Sequence, residues 1–334
     1  MKLLPSLLKR AESKTFIEIC KIKKDITFEN IMYFYQHLPE YINPIAFSIG
    51  NFNIHWYSIM YLVGFLVVYA LLVHEAKSSK ENFKSDTKEL IFNFLIYSFI
   101  GLVIGARLGY VLFYNLEYFI QNPLAIVSPF DSSGIFVGIF GMSYFGGLVG
   151  AVASSIIFCR RNKINFWQWA DFVVPAIPAG YFFGRIGNFL NGELYGKATN
   201  HWWGMYFRNE SFLRHPTQLY EAFLEGALLF AVLWLLRNSS LTTFGDYPKG
   251  FINKVRKVVG DKVKFKGNFL AIYLFGYGII RFFIEFLREP EQGLILGITR
   301  GQILSLIVMF TAIMVYLHKI RKACYNNANG GNNG

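Results

Sequence analysis

The chain has 334 residues, 54% of them hydrophobic and only 16% charged, where soluble domains carry about a quarter charged residues. That balance excludes an ordinary soluble domain and places the chain among membrane proteins. The formal charge of +12 does not point to nucleic acid, because the Lys and Arg fall in loops between apolar runs, where membrane topology and anionic lipid account for them.

The first residues, M-K-L-L-P-S-L-L-K-R, lack an apolar core long enough for a cleavable signal peptide. Residues 1–31 are basic, with Lys2, Lys9, Arg10, Lys14, Lys21, Lys23 and Lys24, and read as an N-terminal extension. Residues 32–50 hold no Lys or Arg. A membrane span needs about 20 apolar residues, and about seven candidates follow: Ile54–Val73, Leu90–Tyr114, Ile135–Phe158, Phe166–Phe189, Leu219–Leu236, Phe269–Leu287 and Ile303–Leu317. Lys77, Lys80, Lys84 and Lys88 follow the first, residues 116–134 carry neither Lys nor Arg, and Arg160, Arg161 and Lys163 follow the third. This alternation predicts an N-terminus outside and a C-terminus in the cytoplasm.

The longest outer loop, residues 190–218, contains Trp202, Trp203, Tyr206 and Phe207, which suit a small head element at the outer interface. Residues 238–267 form a basic cytoplasmic insert. Residues 319–334 end in N-N-A-N-G-G-N-N-G and read as a disordered cytoplasmic tail. The expected architecture is all-α: a polytopic helical bundle over residues 32–318, with the head on its outer face. Cys20, Cys159 and Cys324 show neither pairing nor metal-ligand spacing. No metal or cofactor is expected.

Polar residues converge on the outer half of this arrangement. Tyr57 opens the first span, and Arg107 lies late in the second, with Tyr110 and Tyr114 at helical spacing on the same face. Arg185 and Asn188 end the fourth span, His215 and Glu221 open the fifth, and Tyr277, Arg281 and Glu285 line one face of the sixth, with Arg288 at its mouth. Asp171, near the cytoplasmic end of the fourth span, reads as a structural cap or polar partner. Ionisable residues at membrane depth cost several kcal/mol and mark sites by default. Some of them have plainer readings, Arg281–Glu285 as a bundle ion pair and Arg107 as a partner of Glu221. Several arginines at one depth nevertheless repel one another unless an anion sits among them, and the common outer-leaflet anion is a phospholipid head group.

Between Phe183 and Gly196 the chain reads F-G-R-I-G-N-F-L-N-G-E-L-Y-G, setting Arg185, Asn188, Asn191 and Glu193 among glycines. Glycines allow close backbone approach and expose N–H groups that suit an anion. This segment resembles the signature of the bacterial prolipoprotein diacylglyceryl transferases. So do H-W-Y at 55–57, G-A-R-L-G-Y at 105–110, H-P-T-Q-L-Y-E at 215–221 and G-Y-G-I-I-R-F-F-I-E-F at 276–286. The resemblance runs from about Met32 to His318.

It implies an enzyme of the bacterial inner membrane that moves the diacylglyceryl group of phosphatidylglycerol onto the lipobox cysteine of a prolipoprotein signal peptide, releasing glycerol phosphate. Its partners would be that lipid, those signal peptides and the bilayer. A thiolate must displace phosphate from glycerol C3, so charge grows on the leaving phosphate. Arg185 and Arg281 are expected to clamp it, with Asn188 and Asn191 as amide donors and Glu285 holding Arg281. Arg107, Tyr110, Tyr277, Arg288 and Gly196 complete the expected lipid site. Family members commonly carry His before the Gly-Gly pair of the third span, where this chain has Phe145. The base is then His215, Glu193 or Tyr57, or the arginines lower the thiol pKa without one. The competing class is a transporter or flippase for an anionic lipid, although no second copy of the signature supports an internal repeat.

Overall fold

In a computed structural model, residues 28–50, 52–78, 85–128, 141–238, 268–289 and 297–330 are described. Most of the N-terminal extension, nearly all of the basic insert, the start of the third expected span and residues 331–334 lie outside them.

Two short helices, α1 (Phe28–Gln36) and α2 (Leu38–Tyr41), lead into an antiparallel ribbon of β1 (Ile45–Ile49) and β2 (Phe52–His55). Ile45 pairs with His55 and Ile49 with Phe52. The start of the first expected span is corrected: Ile54 and His55 belong to the ribbon, and the first long helix opens at Trp56. Gly50, at φ 57°, supplies the left-handed turn that the reversal needs.

The helices α3 (Trp56–Ser78), α4 (Ser85–Tyr114) and α5 (Leu116–Gln121) follow. Helix α6 (Tyr144–Arg161) is capped by the Ser143 hydroxyl accepting from Gly146 N–H, and closes on Arg160 and Arg161, which complement the helix dipole. The fourth expected span is broken. Helix α7 (Phe166–Val173) passes through a 3-10 turn at Val174–Ala176 into α8 (Ile177–Asn191), because Pro175 and Pro178 each remove a ladder N–H. Helix α9 (Thr217–Glu221) widens into a π-helical turn at Ala222–Leu228 before α10 (Leu229–Asn238). Last come α11 (Phe269–Ile284) and α12 (Arg300–Gly330). The last helix continues through residues 319–330, read from composition as disordered, because it has no proline and its backbone ladder closes locally.

Four of these stretches are long and apolar enough to cross a membrane: Trp56–Lys77, Thr87–Tyr114, Thr217–Arg237 and Arg300–Lys319. Phe269–Ile284 is a shorter apolar helix. The protein is a mostly helical, multi-pass membrane protein.

The chain divides into two compact units. One comprises residues 66–177, 231–274 and 311–334. Its core gathers Leu72, Ile91, Phe94, Phe158, Trp169 and Phe172, with Phe94 edge-on to Phe158 and Trp169 at ring separations of 5.4 and 5.5 Å. Helices α4 and α6 meet along glycines. A Cβ on Gly105 would stand 2.3 Å from the Gly146 carbonyl, and one on Gly150 would stand 2.1 Å from that of Gly101. Small residues permit this approach where lipid supplies no hydrophobic drive between helices. Asp171 accepts from Leu270 N–H at 2.9 Å and Lys319 Nζ at 2.6 Å, so it caps the start of α11.

The other unit comprises residues 1–65, 178–230 and 275–310. Phe189, Met205 and Phe207 form its buried cluster, packed by Tyr35, Leu38, Tyr195 and Leu219. The irregular segment 192–216 folds over this cluster. Tyr206 N–H donates to Gln36 carbonyl at 2.7 Å and Tyr35 hydroxyl to Trp203 carbonyl at 3.0 Å.

Candidate functional site

Within the second of these units, α8, α9 and α11 place their polar side chains around one carboxylate. Glu221 is fully buried. Its Oε1 accepts from Nη1 of Arg281 and Nη1 of Arg288, each at 2.8 Å, and its Oε2 lies 2.9 Å from Nε of Arg185. Charge-assisted contacts of this kind are the strong ones, and burial makes them stronger. Glu285 stands 3.1 Å from Nη2 of Arg281 and 3.8 Å from Nε of Arg288. The Arg281–Glu285 pair expected from their spacing is therefore formed.

An anion does sit among the arginines, and it comes from the chain. Glu221 is that anion, supplied by the protein itself. Arg107, for which pairing with Glu221 was the plainer reading, belongs to the other unit. There Nε of Arg107 donates to Ile126 carbonyl at 2.8 Å, Nη2 to Ala125 carbonyl at 2.6 Å and Nη1 to Gly141 carbonyl at 3.3 Å. Tyr110 stacks on Tyr114 with ring centroids 5.5 Å apart. Phe145, half exposed in the first turn of α6, lies in that unit too.

The remaining signature residues brace the cluster. Asn188 accepts from Nη1 of Arg185 at 3.3 Å and donates to Glu193 at 2.9 Å, linking α8 to the turn after it. Asn191 accepts from the N–H of Tyr57 at 3.4 Å, and the Tyr57 hydroxyl donates to Tyr61 at 2.8 Å. Gly196 N–H donates to His215 carbonyl at 2.8 Å, and a Cβ there would lie 2.4 Å from Leu287 carbonyl. Its lack of a side chain serves this close backbone packing. His215 is buried, with Nδ1 3.2 Å from the Tyr220 hydroxyl. Burial, reinforced by nearby His201, holds its pKa below the ordinary histidine value and favours the neutral ring.

Arg214, in segment 192–216, donates to Glu210 through Nε at 2.9 Å and Nη2 at 2.7 Å, and the Tyr195 hydroxyl donates to the same carboxylate at 2.6 Å. Tyr195 and Arg214 together keep the Glu210 carboxyl below its usual pKa.

Two members of the cluster were missed by sequence reasoning. Glu225, 1% exposed, accepts from the Tyr181 hydroxyl, which itself accepts from Nε of Arg185 at 2.8 Å. Tyr277 sets its ring edge-on to Tyr181 at 6.1 Å. The signal was present: Tyr181–Arg185 and Glu221–Glu225 are both i,i+4 pairs in apolar runs, and a carboxylate in such a run is a site candidate.

Such a buried, cross-linked set of arginines and carboxylates can hold an anionic ligand and move a proton. A family model described as prolipoprotein diacylglyceryl transferase matches residues 44–318. A phosphatidylglycerol–prolipoprotein diacylglyceryl transferase of Campylobacter jejuni is 41% identical over 292 residues, covering 86% of this chain and 97% of the relative. Its namesake in Chlorobaculum tepidum is 38% identical over 297 residues, covering 86% and 94%. That in Campylobacter lari is 38% identical over 298 residues, covering 87% and 99%.

Proposed function

The chain belongs to the prolipoprotein diacylglyceryl transferase family, and on that premise we propose that it transfers the diacylglyceryl group of phosphatidylglycerol to the lipobox cysteine thiol of prolipoproteins. The sulfur attacks glycerol C3, the C3–O bond breaks and glycerol phosphate leaves. The observation that carries this reading is the convergence of Arg185, Arg281 and Arg288 on buried Glu221. A guanidinium has five N–H donors, so an arginine can hold Glu221 on one edge and a phosphate on another. Preorganised donors of this kind stabilise charge developing on a leaving group.

In this reading Arg185 and Arg281 clamp the phosphate, Glu285 and Glu221 orient them, and Arg288 and Tyr277 extend the lipid site. Asn188, Asn191 and Glu193 hold the clamp in shape, Tyr57 and Gly196 support its frame, and His215 braces the outer segment against Tyr220. Arg107 and Tyr110, in the other unit, are lipid contacts on the family resemblance alone. The protein sits in the bacterial inner membrane through seven spans, N-terminus outside and C-terminus cytoplasmic. Residues 190–218 form an outer head.

Incubating the full chain with phosphatidylglycerol and a lipobox peptide tests the reading, with a thioether-linked diacylglyceryl peptide as the expected product. Movement of phosphatidylglycerol between leaflets without that product would identify a flippase instead.

A further inference from the structure

Phe145 can accept no proton, yet the reaction proposed above must remove one from a thiol. We propose that Tyr181 and Glu225 take it up, with the Tyr181 hydroxyl meeting the thiol and Glu225 standing behind it as the acceptor. This inference rests on the transferase reading. The Tyr181 hydroxyl donates to Oε2 of Glu225 and accepts from Nε of Arg185 at 2.8 Å. A hydroxyl has one proton and two acceptor lone pairs. Arg185 takes one pair, which leaves the other for an S–H donor.

Glu225 is 1% exposed, and Tyr181 is part-buried beside it. Oε1 of Glu225 has no hydrogen-bond partner among the described residues, and Nη1 of Arg281 stands 4.0 Å from it. A buried carboxylate with an oxygen left over is costly, and such groups call for a functional account. The pair is faced by Arg185 from its own helix α8, by Arg281 and Tyr277 from α11, and by Glu221 one turn before Glu225.

The step balances. The thiol proton passes to the Tyr181 oxygen while the Tyr181 proton moves to Oε2 of Glu225. The sulfur pair forms the S–C3 bond, the C3–O bond breaks, and its electron pair leaves with glycerol phosphate beside Arg185 and Arg281. Glu225 then returns the proton to the leaving phosphate or to water. Arg185 touches both halves of the reaction, coupling thiol activation to phosphate departure.

The test measures single-turnover thioether formation by the full chain with phosphatidylglycerol vesicles and a lipobox peptide, from about pH 6 to 9. Tyr181→Phe and Glu225→Gln are each expected to slow the wild-type rate by about a hundredfold at neutral pH. That deficit should shrink toward pH 9, where a thiol of pKa about 8.5 ionises unaided. KM for phosphatidylglycerol should stay unchanged, and the double variant should be no slower than the slower single one, as for groups acting as a unit. A deficit that is flat with pH, or a wild-type rate in Tyr181→Phe, overturns the relay while leaving the transferase reading intact. Should Glu225→Gln fail to fold, Tyr181→Phe decides alone. A wild-type chain that makes no thioether at any pH overturns the transferase reading and the relay with it.

Discussion

Arg281 donates to Glu221 across 2.8 Å although 60 positions separate them in the chain, and Glu221 is the acid that Arg185 and Arg288 approach as well. One carboxylate thus ties α8, α9 and α11 together. Removing one partner of a buried pair leaves the others uncompensated, at a cost of about 3–5 kcal/mol.

Glu221→Gln is therefore expected to lower the thermal midpoint of the detergent-solubilised protein markedly. Added phosphatidylglycerol should restore part of the loss, because an anion that binds only the folded state stabilises it by mass action. An unchanged midpoint would show that the arginines do not depend on Glu221.

Arg185→Ala and Arg281→Ala should each abolish transfer. Losing a charge-assisted phosphate contact in a water-poor site costs roughly 3 kcal/mol or more, about a hundredfold in rate. Lysine at either position should rescue poorly, because it lacks the bidentate fork. Turnover near wild type in either alanine variant, measured with equal amounts of membrane-inserted protein, would remove that residue from the clamp.

Phe145→His should change the rate by less than about tenfold, since a proton acceptor elsewhere supplies the roughly hundredfold that a general base contributes. A hundredfold gain accompanied by a new ionisation near the ordinary histidine pKa of about 6.5 would show that this position needs a base.

A chain beginning at Met32 should complement a transferase-depleted bacterium as well as the full chain does. The truncation removes the exposed first residues of α1 and keeps Tyr35 and Gln36, which bind the segment around Trp203 and Tyr206. Normal expression without complementation would assign the extension a function.

What could be read from the sequence depended on how local the cause was. Long apolar runs announced the major helices, and the spacing of Arg281 and Glu285 announced their ion pair, because both follow from helical periodicity. Asp171 was legible as a cap partner, although its contact with Lys319 was not. Glu221 was recognised as polar at membrane depth, but its meeting with Arg185, Arg281 and Arg288 was not legible, since nothing local tells which distant arginine a buried acid will meet. Arg107 donates to backbone carbonyls of Ala125, Ile126 and Gly141, which leave no pattern in side-chain identity. Tyr181 was passed over because a tyrosine in an apolar run looks like an interfacial residue. The ribbon at Ile45–His55 was hidden by its shortness, and the break at Pro175 by hydropathy that continues on both sides of it.

The glycine contact between α4 and α6 restricts how this chain can drift. Every single-nucleotide change that replaces a glycine adds at least a Cβ, and at Gly101, Gly105, Gly146 and Gly150 that atom would meet other atoms at 2.1–2.3 Å. Alanine is the gentlest such step, and it already forces the backbones apart. No sequence of small, individually tolerated substitutions therefore leads away from this contact, and divergence there would require both helices to change together.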